Sequence, residues 1–254
     1  MLKRFSVYIF NKLFHRNLYD EPFEAFFLIV KKYLVDNDQN GKILDAACGF
    51  HNRYISKLLS NNYLNVEKLI GLDIDETVNQ KNNIHNKIII QDLHSPIKLD
   101  NIQGIISLYT WEHLHSPNVV LKNFNNILND NGVVIIIASQ RYYYISILER
   151  IMPAYLKNLI WKLLAGQDKM PYPAYFNLCA ETALGLAAEE YGYKLEEYIS
   201  MEPAPTWYVK IFPIFLVMCF WMFLMNKFTI FKNIRGTFIA VLIKKDLSID
   251  SSST

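Results

Sequence analysis

Cysteine is scarce in this chain: Cys48, Cys179 and Cys219 are the only three in 254 residues. An odd, widely spaced set with no C-x-x-C pair excludes a disulfide framework and a zinc cluster, and it fits a reducing cytosol. Glycine and proline number nine each, too few for collagen-like or low-complexity sequence. The formal net charge is only +2, which argues against a dedicated nucleic-acid binder. The basic N-terminus lacks a clear apolar core followed by a small-residue cleavage site, so no signal peptide is expected.

What the chain has in quantity is apolar surface. Hydrophobic residues make up 52% and aromatic residues 14%, against 20% charged. The length fits one α/β domain with insertions and is enough to bury a large core. The small net charge hides an asymmetry. Residues 1–19 carry Lys3, Arg4, Lys12 and Arg16 and no acid, and 203–245 carry Lys210, Lys227, Lys232, Arg235, Lys244 and Lys245, again with no acid. The tail adds two acids, so residues 20–202 carry a net charge of −6. Basic ends that are also strongly apolar are the pattern expected at an anionic membrane surface.

Short β-branched runs alternate with helical segments along the middle of the chain. KILDA (42–46), LIGLDI (69–74), KIIIQD (87–92), GIISLY (104–109) and GVVIIIAS (132–139) read as five strands. Helices are expected around Arg53–Ser60 and over 119–128, the latter ending in a turn at 129–132. Nearly continuous apolar strands imply a parallel sheet covered on both faces, hence a doubly wound fold. Residues 141–176 then form an aromatic and basic insert expected to be a helical lid. A helix over 180–191, a sixth strand at 194–200, a second apolar insert at 203–235 and a last strand at 236–245 complete the domain. Residues 1–40 are expected as N-terminal helices, 41–140 as the cofactor-binding half, 177–245 as the C-terminal part and 246–254 as a disordered tail, all in one domain.

The first strand runs into Asp45-Ala46-Ala47-Cys48-Gly49, where small residues let backbone approach a ligand closely. The second strand ends in Asp73, the third leads into Gln91-Asp92-Leu93, and the fourth into Tyr109-Thr110-Trp111-Glu112-His113-Leu114. All meet at the carboxyl ends of the strands, where open α/β sheets bind ligands. A nicotinamide-dependent oxidoreductase would need G-x-G-x-x-G, and neither its first nor its last glycine is present.

The series LDAACG, GLDID, QDL, WEHL and NGVVIIIAS resembles class I S-adenosylmethionine-dependent methyltransferases of the methyltransferase type 11 group, over about residues 40–200. The family loop reads D-x-G-x-G-x-G; here Ala47 stands at the first glycine and His51 at the third. The resemblance implies S-adenosyl-L-methionine as cofactor. It places Asp45, Ala46, Ala47, Cys48 and Gly49 around the methionine end, Asp73 on the ribose, Ile74 against adenine, and Asp92 with Leu93 at the adenine edge. Tyr109 joins this set. No metal is expected.

Methyl transfer is an in-line displacement that depends on alignment, and an oxygen nucleophile must also lose its proton. His113 is the candidate base; the alternative is that Glu112 and His113 only cap or orient the next helix. Trp111, Tyr142 and Tyr143 are candidate acceptor contacts. His51 and Arg53 could meet the cofactor carboxylate or could simply begin a solvated helix, and Cys48 reads as a packing residue.

The fifteen apolar residues 211–225 would span about 22 Å as a helix, short of a bilayer core of about 30 Å. Trp207, Tyr208, Lys210 and Lys227 flank them like interfacial anchors. An in-plane membrane helix, a pocket wall and an ordinary buried helix all remain open. Leu2, Phe5, Ile9 and Leu13 share one face of an N-terminal helix, which either caps the sheet or touches a membrane.

The expected fold is a Rossmann-like, doubly wound, seven-stranded, mostly parallel sheet with helices on both faces, plus apolar helical inserts. The expected activity is methyl transfer to a small or lipid-linked acceptor, at oxygen. PYPAYFNLCAETALGLAAEEYGYKLEEY looks like bacterial glycan-cluster methyltransferases, so a sugar or glycolipid comes first and a quinone or other isoprenoid second. A catalytically silent, cofactor-binding membrane adaptor is the reading from a different class. The expected location is the cytoplasm, peripheral on the cytoplasmic membrane face, with no nucleic-acid partner.

Overall fold

The computed structural model describes residues 2–14, 23–36, 41–49, 53–78, 84–165 and 172–246. Seven strands form one sheet: β1 (Lys42–Ala46), β2 (Leu69–Asp73), β3 (Lys87–Ile90), β4 (Ile102–Leu108), β5 (Leu128–Ser139), β6 (Tyr193–Met201) and β7 (Thr237–Lys244). Their spatial order is β3-β2-β1-β4-β5-β7-β6. All neighbours pair in parallel except β7, which runs antiparallel to both β5 and β6.

The near-continuous apolar runs are explained by the pleat, which sends successive side chains to opposite faces. Leu44, Val134, Ile136, Phe238 and Ala240 meet helices α4 (Pro117–Ile127) and α7 (Glu181–Glu190) through Val120, Leu121, Phe124 and Leu184. The alternate residues Ile43, Val133, Ile135, Ile137, Ile239 and Val241 meet α2 (Phe23–Val30) and α3 (Arg53–Ser60) through Phe26, Ile29, Ile55 and Leu58. Burial on both faces does not extend to the edges. Lys87 and Ile90 of β3 are exposed, as are alternate residues of β6, because an edge strand has helices over only part of its surface. The expected turn at 129–132 lies within β5; Asn131 has φ +58° there and the register with β4 shifts, so the strand is bulged.

Helices α5 (Tyr144–Ile151) and α6 (Ala154–Ala165) follow β5, and α8 (Phe212–Lys227) lies between β6 and β7. Helix α1 (Leu2–Phe14) packs chiefly on α8 rather than capping the sheet. Phe10 meets Phe215 at 6.4 Å between ring centroids, and the Ser6 hydroxyl donates to the Val209 carbonyl at 2.9 Å. The buried positions of α1 are Ser6 and Phe10, whereas Phe5 and Leu13 of the expected apolar stripe face outward. No helix among the described residues is long and apolar enough to cross a membrane. His51 and residues 247–254 lie outside the described residues.

Candidate cofactor and acceptor edge

The carboxyl ends of β1, β2, β4 and β5 converge on one edge of the sheet. After β1 the chain enters a left-handed turn, with Ala47 at φ +60° and Gly49 at φ +59°. Alanine accepts this geometry at a cost that glycine does not carry. The turn is tied to β2 twice: Cys48 N–H donates to the Leu72 carbonyl at 3.1 Å, and Gly49 N–H donates to Asp73 Oδ2 at 2.8 Å. Asp73 Oδ1 accepts Asp75 N–H at 2.9 Å. A carboxylate offers about four lone-pair directions, so Asp73 keeps acceptor capacity for two ligand hydroxyls. A Cβ built on Gly49 would meet nothing within 4 Å among the described residues.

Beneath the loop lies a pair that has no sequence signature. Asp45 Oδ2 and His85 Nε2 are 2.9 Å apart with both side chains fully buried. Burial pushes the Asp45 carboxyl above its ordinary range, and His85 opposes that shift. Asp45 Oδ1 finds no partner among the described residues. Gly71 makes the arrangement possible, because a Cβ there would sit 2.8 Å from Cys48 Sγ and 3.1 Å from the His85 ring. Burial, followed by the charges of Asp45 and Asp73, pushes the Cys48 thiol up to about 12. Cys48 is therefore an inert packing thiol at neutral pH.

Next to Asp73, Ile74 is 60% exposed, an apolar surface at the strand end. Burial works against the Asp92 charge, yet the His94 backbone N–H at 2.9 Å and its ring at 2.8 Å hold the carboxyl below its usual range. Leu93 turns its side chain into the core. Arg53 lies exposed on α3, its guanidinium 4.9 Å from the Phe23 ring centre.

At the end of β4, Tyr109 adopts φ +52° and its hydroxyl reaches that of Tyr54 at 3.3 Å. Trp111 is fully buried in the core, so its indole packs where a substrate contact was expected. Glu112 is also buried: Oε1 accepts the Ser139 hydroxyl at 3.2 Å, and Oε2 has no partner among the described residues. Burial raises its carboxyl. Helix α4 begins at N-cap Ser116, which makes no side-chain cap bond. Glu112 and His113 hold the returning chain. The Glu112 carbonyl accepts from Tyr175 and Phe176 N–H, and His113 Nδ1 lies 3.1 Å from the Pro173 carbonyl.

Beyond β5, Tyr142 is 50% exposed, while Tyr143 joins a polar cluster around Glu202. Glu202 Oε2 accepts Gly236 N–H at 2.8 Å, and Tyr143 and Trp221 also hydrogen bond to the carboxylate. Burial pushes Glu202 up to about 7 against those bonds. Tyr144 extends the cluster to Tyr208, with hydroxyls 3.3 Å apart. Gly236 must lack a side chain here, since a Cβ would meet Pro203 at 2.6 Å and Tyr143 at 3.0 Å. Glu202 follows an alternating strand and precedes a proline-rich loop, so nothing in the local pattern marks it.

Residues 17–198 match a family model described as a methyltransferase domain. A search of curated protein sequences gives no significant match. Among solved structures, a candidate sarcosine dimethylglycine methyltransferase from Galdieria sulphuraria superposes with a TM-score of 0.56 at 14% identity, over 96% of this chain and 98% of that one. A mycolic acid cyclopropane synthase complexed with SAH and CTAB gives a TM-score of 0.52 at 13% identity, over 87% and 85%. An S-adenosylmethionine-dependent methyltransferase from Mesorhizobium loti gives 0.52 at 11% identity, over 89% and 99%. The chain's own edge suits such a cofactor: a left-handed loop, a strand-end carboxylate with spare acceptors, and an exposed apolar residue beside it. The chain therefore belongs to the methyltransferase-domain family, as a class I enzyme that uses S-adenosyl-L-methionine.

Proposed function

We propose that the enzyme methylates a hydroxyl on a small or lipid-linked acceptor, with a sugar or glycolipid as the first choice. The observation that carries this reading is the division of the carboxyl edge. One half offers the Gly49–Asp73 cradle, and the other gathers two buried carboxylates, Glu112 and Glu202, behind aromatic hydroxyls. Bound S-adenosyl-L-methionine supplies an electrophilic methyl group on a sulfonium. Asp73 accepts the ribose hydroxyls and Ile74 covers adenine, with Asp92 and the Leu93 backbone at its edge. Ala46, Ala47, Cys48 and Gly49 surround the methionine end, where Asp45 Oδ1 has acceptor capacity to spare. Tyr109 closes the methyl-transfer side.

Transfer to oxygen needs a proton acceptor on the far side of that tyrosine. His113 takes this role in the proposed arrangement: a Pro173-bound Nδ1–H leaves Nε2 as the acceptor. Tyr142 and Tyr143 orient the acceptor. The apolar, basic terminal segments support a peripheral position on the cytoplasmic membrane face, where a lipid-linked acceptor would be presented.

Incubation of cell extract with radiolabelled cofactor and purified protein tests the reading. Label is expected in the glycan or glycolipid fraction. Label in quinones or other isoprenoids would replace the acceptor class, and absence of transfer by protein that binds cofactor would refute the activity.

A further inference from the structure

A helix that is apolar on every side is ordinarily buried on every side. Helix α8 departs from this rule. Its buried residues are Phe215, Cys219, Met222 and Met225, while Val217 is 66% and Phe220 63% exposed and Ile214 and Phe223 are a little under half exposed. Lys227 supplies the first charge, at its C-terminus.

The neighbouring elements extend the same character. Helix α1 lies along α8, its Phe5 ring 5.0 Å from that of Phe212, and it adds exposed Phe5 and Tyr8. The 3-10 segment Thr229–Ile234 follows α8 and leaves Ile230 83% exposed. Contiguous exposed apolar surface on this scale marks an interaction site.

Charge selects the partner. Lys3, Arg4, Lys12, Lys210 and Lys227 are all exposed on or beside these helices, and neither 2–14 nor 203–245 contains an acid. A second copy docked on the same patch would set these cations against one another, and like-charge juxtaposition disfavours a protein–protein contact. An anionic lipid surface satisfies both features, because headgroups meet the lysines while the interface takes the apolar side chains. The 16-residue helix spans about 24 Å, so it lies in the plane rather than across the bilayer.

We propose that α1 and α8 together form a docking face for an anionic membrane, seated through Phe5, Ile214, Val217, Phe220 and Phe223. This deepens the membrane part of the proposed function and does not depend on the acceptor being a lipid.

The test is flotation of the full chain with vesicles of phosphatidylcholine, or of equal parts phosphatidylglycerol and phosphatidylcholine. Anionic vesicles should carry the protein, and neutral ones should carry it at least tenfold less. Raising salt should weaken the anionic binding severalfold by screening. The double substitution V217E/F220E, on exposed positions, should abolish flotation while calorimetric affinity for S-adenosyl-L-methionine stays unchanged. K3Q/K227Q should lower binding roughly thirtyfold, since each basic residue near an anionic surface contributes about fivefold. Failure to float with anionic vesicles, or equal flotation with neutral ones, overturns the proposal while retained cofactor binding leaves the enzyme reading standing. A dimer in sedimentation equilibrium that V217E/F220E converts to monomer would assign the face to self-association instead. Should a variant fail to fold, the comparison of vesicle types with the unmodified chain still decides.

Discussion

Replacing Glu202 with glutamine should change how stability depends on pH. In the unfolded chain the carboxyl ionises near its ordinary value of 4.5; in the fold it does so at about 7, because burial outweighs the bonds from Gly236, Tyr143 and Trp221. Between those values the unfolded state has released its proton and the folded state has not. Folding stability therefore declines as pH rises through this window and levels off above it. Each pKa unit corresponds to 1.36 kcal/mol, so the decline attributable to this one group is about 3 kcal/mol. Glutamine at 202 keeps an acceptor for Gly236 but cannot titrate. Any constant cost of the substitution, about 1 kcal/mol for an imperfect hydrogen bond, cancels when two pH values are compared. Urea denaturation of both proteins from about pH 5 to about pH 8 is the assay. The stability of E202Q relative to the parent should rise by about 2.5 kcal/mol across that range, or roughly 5–10 °C in Tm. Other buried acids, such as Asp45 and Glu112, titrate in both proteins and drop out of the difference. Parallel pH profiles would show that Glu202 is already ionised in the fold and would refute the reasoning.

Asp73→Ala removes the carboxylate that accepts Gly49 N–H at 2.8 Å; titration calorimetry should find cofactor affinity reduced by about 10- to 100-fold, the worth of hydrogen bonds to a charged group. An unchanged affinity would show that Asp73 does not meet the ligand. Gly49→Ala meets no obstacle among the described residues but must hold φ +59°; a loss of about 1–2 kcal/mol is expected in denaturant unfolding. Phe124→Ala empties a fully buried position between α4 and the sheet and should cost about 3–5 kcal/mol by the same measurement. A cost below about 1 kcal/mol would mean that the site repacks around the missing ring.

The sheet was legible because its central strands are buried on both faces, so their residues form unbroken apolar runs. KILDA matches β1 residue for residue, and the other strands lie within two residues of the expected limits, except that β5 starts four residues earlier. Gly49 and Asp73 were both marked by their places at strand ends, whereas the hydrogen bond that joins them across 24 residues comes from the fold. Other features follow from tertiary packing and leave no local trace. The Asp45–His85 pair spans 40 residues and the Glu202–Gly236 bond 34; each depends on a loop position that carries no periodicity. Trp111 stands at a strand end, where an aromatic suits a pocket wall or a core equally well, and only the fold assigns it to the core. The bulge in β5 was concealed by Asn-Asp-Asn-Gly, a sequence that suits a turn as well as a kinked strand.

The pairing of β6 with β7 has an architectural consequence. Met201 and Thr237 are direct partners in the antiparallel register, so the whole stretch between them, α8 included, is an enlarged hairpin loop. Its two ends meet whatever it contains, and loop-closure entropy changes slowly with loop length. The sheet thus carries its apolar appendage as a detachable cassette. Such a cassette can be lengthened, shortened or exchanged without altering the strands that build the cofactor edge, which lies on the other side of β5.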